Sequence, residues 1–197
     1  MIGIILRKSK TNTNKNVFVL YEDIHRILNN YNLKIVLINP LDIDYDLIDK
    51  CKGLLLQGGT NFYNEELKII KKFYDDNKPV LGICLGMQEM NMFLGGNLKK
   101  ISNHNKSSLY VHNVYIDKDS LFYKIIKKDN ILVNSRHSYA VNKTVCNVVG
   151  ISKDGVIEVI EDKNKKFFIG VQFHPESILD DKVTKKIFDY FYKCIKK

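Results

Sequence analysis

The chain has 197 residues, a formal net charge of +9, 45% hydrophobic residues and four cysteines. This length fits one domain around one core, and the apolar fraction is too high for a disordered chain. No apolar run approaches the roughly 20 residues that cross a bilayer, and Met1 leads directly into the short apolar run at 2–6. We therefore expect a single cytoplasmic domain over residues 1–197, without a leader segment or a membrane contact.

Lysine carries almost all of the positive charge. Arg7, Arg26 and Arg136 are the only arginines, and Ala140 is the only alanine. The abundant Asn, Ile and Lys are encoded by A/T-rich codons, and the lysines are spread along the chain rather than clustered on one segment. The sequence thus favours a solvated lysine-rich surface over a nucleic-acid partner. A non-catalytic basic protein that binds an acidic partner stays open as an alternative.

The cysteines give no sign of a disulfide framework. Cys51, Cys84, Cys146 and Cys194 lie far apart, without a C-x-x-C pair and without histidines at metal-ligand spacing. The sequence therefore predicts reduced thiols and no metal site, with room for one reactive cysteine.

Strand and helix patterns alternate in the first half of the chain. Short apolar runs predict buried strands at 2–6, 34–39, 53–57 and 79–83, and a polar loop is expected at 8–16. Apolar residues at helical spacing predict helices at 19–30, at 67–77 and at 87–94. Such alternation predicts a mostly parallel central sheet with helices on both faces.

The second half of the chain changes character. Strand-like runs joined by short turns occupy 110–116, 131–133, 145–151, 156–160 and 167–173, and a helix is predicted at 182–193. Short turns join antiparallel strands. We therefore predict one α/β domain with additional antiparallel strands in its C-terminal half.

Cys84 stands where a predicted strand runs directly into a predicted helix. Gly82 and Gly86 flank it at two positions on either side, which is typical of a tight turn that presents a nucleophile. At a helix N-terminus the dipole favours a thiolate, and the backbone N–H of Leu85 would face the same space. The alternative is a buried structural cysteine.

His174 ends a predicted strand, and Glu176 follows two residues later after Pro175. Residues i and i+2 of an extended segment point the same way, so the carboxylate can orient the imidazole. With Cys84 this pair would complete a Cys-His-acid triad. Taken alone, His174 could equally be a surface histidine beside a solvated carboxylate.

These segments resemble the class I glutamine amidotransferase superfamily, and more specifically its γ-glutamyl-γ-aminobutyrate hydrolase-like branch. The similarity covers nearly the whole chain, at 53–59, 82–91, 95–98, 112–114, 133–137, 152–158 and 172–176. The Asn-Ser-x-His segment at 134–137 favours the hydrolase branch over glutaminases linked to a synthetase. The resemblance implies a flavodoxin-like α/β fold.

The resemblance also implies a role for each matching residue. Cys84 would be the nucleophile, His174 the base and acid, and Glu176 the group that orients His174. Backbone N–H groups of Gly59 and Leu85 would form the oxyanion hole. The reaction would pass through a γ-glutamyl thioester without a cofactor. The expected substrate-binding residues are Gly58, Gln88, Ser135, Arg136 and His137.

Some positions depart from the family pattern. Leu85 stands where the hydrolases usually have Arg, and Gln57 and Asn61 replace the usual Pro and Asp. The segment 136–139 differs from the usual His-His-Gln, which puts γ-aminobutyrate as leaving group in doubt. Arg136 could bind an anionic leaving group, because its planar fork suits a carboxylate or a phosphate. An exposed arginine without a ligand is the alternative.

The sequence therefore predicts a hydrolase of small γ-glutamyl conjugates that releases glutamate and an amine or amidate. A nucleotide-linked phosphoramidate of a capsule pathway is one candidate substrate. The alternative is a glutaminase subunit that passes ammonia to a synthetase on another chain, since 197 residues leave no room for a synthetase domain. A homodimer is compatible with the sequence.

Overall fold

A computed structural model describes residues 1–178 and 182–196. The strands are β1 (Ile2–Ile5), β2 (Arg7–Lys10), β3 (Asn16–Val19), β4 (Ile35–Ile38), β5 (Leu54–Leu56), β6 (Val80–Ile83), β7 (Asn97–Lys100), β8 (His112–Ile116), β9 (Asn130–Val133), β10 (Tyr139–Lys143), β11 (Asn147–Ser152), β12 (Ile157–Glu161) and β13 (Phe168–Val171). The helices are α1 (Glu22–Asn29), α2 (Tyr45–Asp49), α3 (Asn64–Asp75), α4 (Leu85–Phe93), α5 (Leu121–Ile126) and α6 (Lys182–Lys196).

Within the described residues, nine strands form the central sheet, in the order β4-β1-β5-β6-β13-β12-β11-β8-β9. The five strands from β4 to β13 are parallel, and each pairing from β13 to β9 is antiparallel. Every residue of β1, β5, β6 and β13 is buried. Parallel strands covered on both faces have this continuous apolar character.

Two layers of helices cover the sheet. Apolar residues of α1, α5 and α6 belong to one core cluster, and those of α2, α3 and α4 belong to the other. The helical spacing of Val183, Ile187 and Phe191 explains how α6 buries one face. The predicted α/β fold, with helices on both faces and antiparallel strands added late, is confirmed. None of the described helices is long and apolar enough to cross a membrane.

The prediction of a loop at 8–16 is wrong in part, because β2 and β3 pair as an antiparallel hairpin. The predicted helix at 19–30 accordingly begins only at Glu22. Most of the hairpin is polar and exposed, so it has no apolar alternation to mark its strands. The small sheet of β7 and β10 and the short helices α2 and α5 were not predicted, for the same lack of a long apolar pattern.

Three neighbouring parallel strands end at the same edge of the sheet. Gly58 follows β5, Cys84 follows β6 and His174 follows β13 within three residues of the strand end. Since β5, β6 and β13 are adjacent, their carboxyl ends bring these residues together. In open α/β sheets this edge is where ligands bind.

Gly86 marks a close approach between helix α4 and strand β5. A Cβ atom at Gly86 would lie 2.3 Å from the carbonyl oxygen of Leu56. Because this neighbour is the backbone of a buried strand, it cannot move aside cheaply. We expect Gly86→Ala to lower the free energy of unfolding by about 1–3 kcal/mol or more in urea denaturation. The control Lys68→Ala, on the exposed face of α3, should stay within about 0.5 kcal/mol of wild type. An equally small effect for Gly86→Ala would contradict the close packing.

Candidate active site

Cys84 lies in the turn between β6 and α4 with a strained backbone. Its φ of +52° and ψ of −103° fall where side chains are rarely found. Gly82 and Gly86 allow this turn because a Cβ at either position would clash with α4 or β5. The Cys84 residue is 4% exposed. A rigid, mostly buried thiol at a helix N-terminus is the geometry predicted for a nucleophile.

The backbone of His174 is held by a side chain from a distant strand. The amide Nδ2 of Asn134 donates to the His174 carbonyl at 2.7 Å, and the His174 N–H donates to Asn134 Oδ1 at 2.7 Å. Asn134 is fully buried and directly follows β9. Its place in the Asn-Ser-x-His segment was noticed from the sequence, but its contact with His174 was not predicted.

Glu176 orients the imidazole ring of His174. The two residues are joined by a contact of 2.5 Å between His174 Nδ1 and Glu176 Oε1. Pro175, Glu176 and Ser177 form one turn of 3₁₀ helix, which returns the carboxylate to the ring. The His174 side chain also interacts with the sulfur of Cys84. The structure therefore brings together the three residues predicted as a triad.

The charge of His174 depends on its two neighbours. Burial by itself lowers the pKa of His174. The Glu176 carboxylate and the Cys84 sulfur raise it by more than burial lowers it, so that the pKa reaches about 10. The ring is consequently protonated at neutral pH. An imidazolium beside the Cys84 sulfur stabilises negative charge there, as a reactive cysteine requires.

The loop of Gly58 and Gly59 lies between His174 and the start of α4. A Cβ at Gly58 would be 2.6 Å from His174 Cε1, and one at Gly59 would be 3.1 Å from Leu85 Cδ2. Leu85 is the first residue of α4, so its N–H has no acceptor within the helix. The loop thus contains Gly59 and lies next to Leu85, the two residues whose N–H groups an oxyanion hole would need.

A buried ion cluster supports this loop from inside. The guanidinium of Arg7 donates to the carbonyl of Gln57 at 2.9 and 2.7 Å and to the carboxylate of Glu89 at 2.6 and 2.7 Å. It also contacts Glu66, and all three charged residues are at most 1% exposed. Burial and the nearby Glu89 carboxylate raise the pKa of Glu66. Sequence reasoning missed this cluster, because its members are 59 and 82 residues from Arg7.

Gln57, which departs from the family pattern, links this loop to the hairpin. Its amide donates to the carbonyl of Ile5 at 2.9 Å and to that of Val19 at 3.1 Å, and it accepts the Tyr21 N–H at 3.0 Å. A proline at this position could make none of these bonds. Gln57 therefore fixes Tyr21, which lies at the edge of the candidate site.

A cleft of about 170 Å³ opens beside the triad. Arg136 lies in its wall, half-buried, and its Nη1 donates to Ser177 Oγ at 3.0 Å. The cleft thus contains a guanidinium and, in Asp23, a carboxylate. Its lining residues are Tyr21, Asp23, Gly58, Gly59, Arg136, His174, Glu176 and Ser177.

Three of the residues predicted to bind substrate point elsewhere. The amide of Gln88 donates to the Tyr139 carbonyl at 2.9 Å and to Gln172 Oε1 at 3.2 Å. Ser135 and His137 are buried and contact His104 and Glu158. Side chains alternate along the extended segment 134–137, so Asn134 and Arg136 face the triad while Ser135 and His137 face away. Their placement does not support the expected substrate contacts.

Comparison with known proteins identifies the family to which the chain is similar. The family model for Peptidase C26 matches residues 63–176. The glutamine amidotransferase-like protein YvdE of Lactococcus lactis is 29% identical over 95% of this chain and 80% of that protein. Anthranilate synthase component 2 of Cyanophora paradoxa is 31% identical over 86% of this chain and 87% of that protein.

A solved structure supports the same fold. A glutamine amidotransferase from Thermotoga maritima superposes with a TM-score of 0.69 at 19% identity, over 98% of this chain and 82% of that one. The predicted likeness to class I glutamine amidotransferases is confirmed at the level of fold and superfamily.

The raised pKa of His174 predicts a pH-dependent contribution to stability. The ring keeps its proton up to pH about 10 in the folded protein but only up to about 6.5 when unfolded. This stabilisation is complete below pH 6.5 and is lost as the pH rises towards 10. We expect the difference in unfolding free energy between wild type and His174→Gln to shrink over that range in urea titrations. Glu176→Gln should weaken the dependence, and identical pH profiles for all three proteins would contradict the assignment.

Proposed function

Because the chain belongs to the Peptidase C26 family, which supports a hydrolase of carbon–nitrogen bonds, we propose that it hydrolyses the γ-glutamyl amide bond of a small conjugate. The observation that carries this proposal is the position of Cys84 on a strained turn beside a His174 held by Glu176 and Asn134. The products are glutamate and an amine or amidate.

Acylation uses the sulfur of Cys84 and the neighbouring ring of His174. The sulfur attacks the γ-carbonyl carbon, and the oxyanion that forms accepts hydrogen bonds from the N–H groups of Gly59 and Leu85. The C–N bond then breaks, and the His174 imidazolium gives its proton to the leaving nitrogen. Each oxyanion donor is typically worth about 10²–10³ in rate. The Arg7 cluster, which fixes the carbonyl before Gly58, would preserve this geometry.

Deacylation uses the same histidine in the opposite direction. In the thioester the sulfur is neutral, so one of the two groups that raise the pKa of His174 is gone. The deprotonated ring can then take a proton from water, whose oxygen attacks the thioester carbonyl. The C–S bond breaks, its electron pair returns to the Cys84 sulfur beside the reprotonated His174, and glutamate leaves. Glu176 keeps Nδ1 protonated and the ring in place throughout. One residue therefore acts first as acid and then as base.

Arg136 is proposed to bind an anionic leaving group. It lies in the same cleft as His174, and its guanidinium can pair with a carboxylate or with the phosphate of a nucleotide phosphoramidate. Asp23 supplies a negative charge in the same cleft, which suits the ammonium of a γ-glutamyl group.

The second candidate is a glutaminase that supplies ammonia to a synthetase on a separate chain. It is favoured by the similarity to anthranilate synthase component 2, which extends over most of both chains. The triad chemistry is the same in both cases, so the leaving group distinguishes them.

A screen of γ-glutamyl conjugates and glutamine tests the reaction by following released glutamate. Wild type should have a higher kcat/KM for at least one conjugate than for glutamine, and Cys84→Ala should lose at least about 10⁴-fold in rate. Cys146→Ala, which removes a buried cysteine outside the cleft, is the matched control and should keep its activity. Preference for glutamine would support the glutaminase instead. Release from none of the substrates would favour a non-catalytic binding protein.

Substitution of Arg136 tests the leaving-group site. With conjugates whose leaving group carries a carboxylate or phosphate, Arg136→Ala should lower kcat/KM roughly 10- to 100-fold, because a charged hydrogen bond is lost. A neutral leaving amine should be affected much less, and Arg136→Lys should recover part of the loss. Equal losses for anionic and neutral leaving groups would assign Arg136 to the glutamyl part instead.

A further inference from the structure

A second polar cluster lies on the side of segment 134–137 that faces away from the triad. His104 Nδ1 is 3.5 Å and His137 Nε2 is 3.7 Å from Glu158 Oε1, and these three atoms lie within 4.8 Å of one another. The side chains of His104, His137 and Glu158 are 3%, 2% and 0% exposed. None of them takes part in the proposed reaction.

Each of the two histidine rings has an inner nitrogen, which faces Glu158, and an outer nitrogen, which faces away from it. The contacts of the outer nitrogens fix the direction of the inner ones. His104 Nε2 contacts Asp154 Oδ2 at 2.9 Å, and His137 Nδ1 contacts the carbonyl oxygen of Tyr139 at 3.1 Å. Both oxygens are acceptors, so the outer nitrogens carry the protons. The inner nitrogens, His104 Nδ1 and His137 Nε2, face Glu158, where a metal would take the place of any proton they carry. Histidines that bind a metal are oriented by such outer contacts.

The contacts among the described residues here leave one buried carboxylate oxygen unsatisfied. Ser135 Oγ lies 3.2 Å from both inner nitrogens, but its single hydroxyl proton is donated to the His104 carbonyl at 2.7 Å. Glu158 accepts from His112 Nε2 at 3.1 Å through Oε1, while its buried Oε2 has no hydrogen-bond partner among the described residues. Two imidazole nitrogens and a carboxylate therefore converge on one buried point, where a cation would satisfy the Glu158 carboxylate.

We propose that His104, His137 and Glu158 bind a structural divalent metal of the zinc class. Bonds of about 2.0–2.1 Å in a tetrahedral site place ligand atoms about 3.3 Å apart. The distances of 3.5 and 3.7 Å to Glu158 Oε1 need a contraction of a few tenths of an ångström, and the two nitrogens, within 4.8 Å of each other, approach by up to about 1.5 Å on binding. Two imidazoles and one carboxylate are a ligand set that zinc accepts, and Ser135 Oγ or a water would take the fourth position. A surface cleft lined by His104, His112 and Asp154 provides the entry path.

The sequence predicted no metal site because the ligands share no local spacing. His104 lies in a loop, His137 follows β9, and Glu158 belongs to β12. Folding pairs the first two segments, since the His137 N–H donates to the His104 carbonyl at 3.0 Å and the Lys106 N–H to the Ser135 carbonyl at 2.8 Å. A metal here would brace the segment whose Asn134 holds His174.

The test measures metal binding rather than activity. The full chain, in a Cys84→Ser background that removes the triad thiol, is stripped with a chelator and titrated with Zn²⁺ by calorimetry and with Co²⁺ by visible absorption. We expect one equivalent to bind, with the spectrum of a four-coordinate site and a higher Tm. Glu158→Gln and His137→Gln should abolish binding, and Asp154→Asn should weaken it about 10- to 100-fold. His25→Gln, on the exposed face of α1, is the matched control.

Two results would overturn the proposal. One is a stripped protein that takes up neither metal and keeps the same Tm, which would mean that a proton on one of the histidines closes the network. The other is binding that Asp154→Asn and Glu158→Gln leave unchanged, which would place the metal elsewhere. Because Asp154 is 60% exposed, its variant is expected to fold and keeps the test decisive should a buried variant fail.

Discussion

The pair of hydrogen bonds between Asn134 and His174 is the contact on which the candidate site depends. β9 lies at one edge of the central sheet, four positions from β13 in strand order. The residue after β9 nevertheless fixes His174, which lies three residues beyond the end of β13. Both backbone groups of His174 are used, so the backbone of this residue is fixed, and the contact with Glu176 then sets the direction of its ring. The antiparallel half of the fold is thereby coupled to the parallel half that supplies Cys84.

Buried charge is used in two different ways around the cleft. The Arg7 cluster is buried, and it joins the carbonyl before the Gly58–Gly59 loop to helices α3 and α4 through Glu66 and Glu89. Removing one partner of such a cluster leaves an uncompensated charge, which is costly. The charge on His174, by contrast, depends on a sulfur that becomes neutral during the proposed reaction. The Arg7 cluster, whose charges stay fixed, and His174, whose charge changes during the proposed reaction, thus both lie next to the Gly58–Gly59 loop.

The sequence was sufficient for the architecture and for the grouping of Cys84, His174 and Glu176, because both leave local signals. Apolar runs mark the parallel strands, and the spacings around Cys84 and His174 are those of a tight turn and of an extended pair. The hairpin of β2 and β3 could not be predicted, because most of its residues are polar and exposed. The burial of Arg7 could not be predicted either, because its carboxylate partners are distant in the sequence. Ser135 and His137 were assigned to the substrate from the family pattern. Their actual direction follows from strand alternation once Asn134 is known to face His174.

That alternation gives segment 134–137 two functions at once. Asn134 and Arg136 serve the cleft, while Ser135 and His137 belong to the cluster around Glu158, so no residue of the segment is left to solvent alone. An extended segment of four residues has little stiffness of its own, and it needs fixed contacts on both sides to hold a ring within the fraction of an ångström that catalysis demands. The histidine cluster supplies contacts on the side away from the substrate. Its ordering, by a metal or by a proton, therefore bears directly on how firmly Asn134 can hold His174.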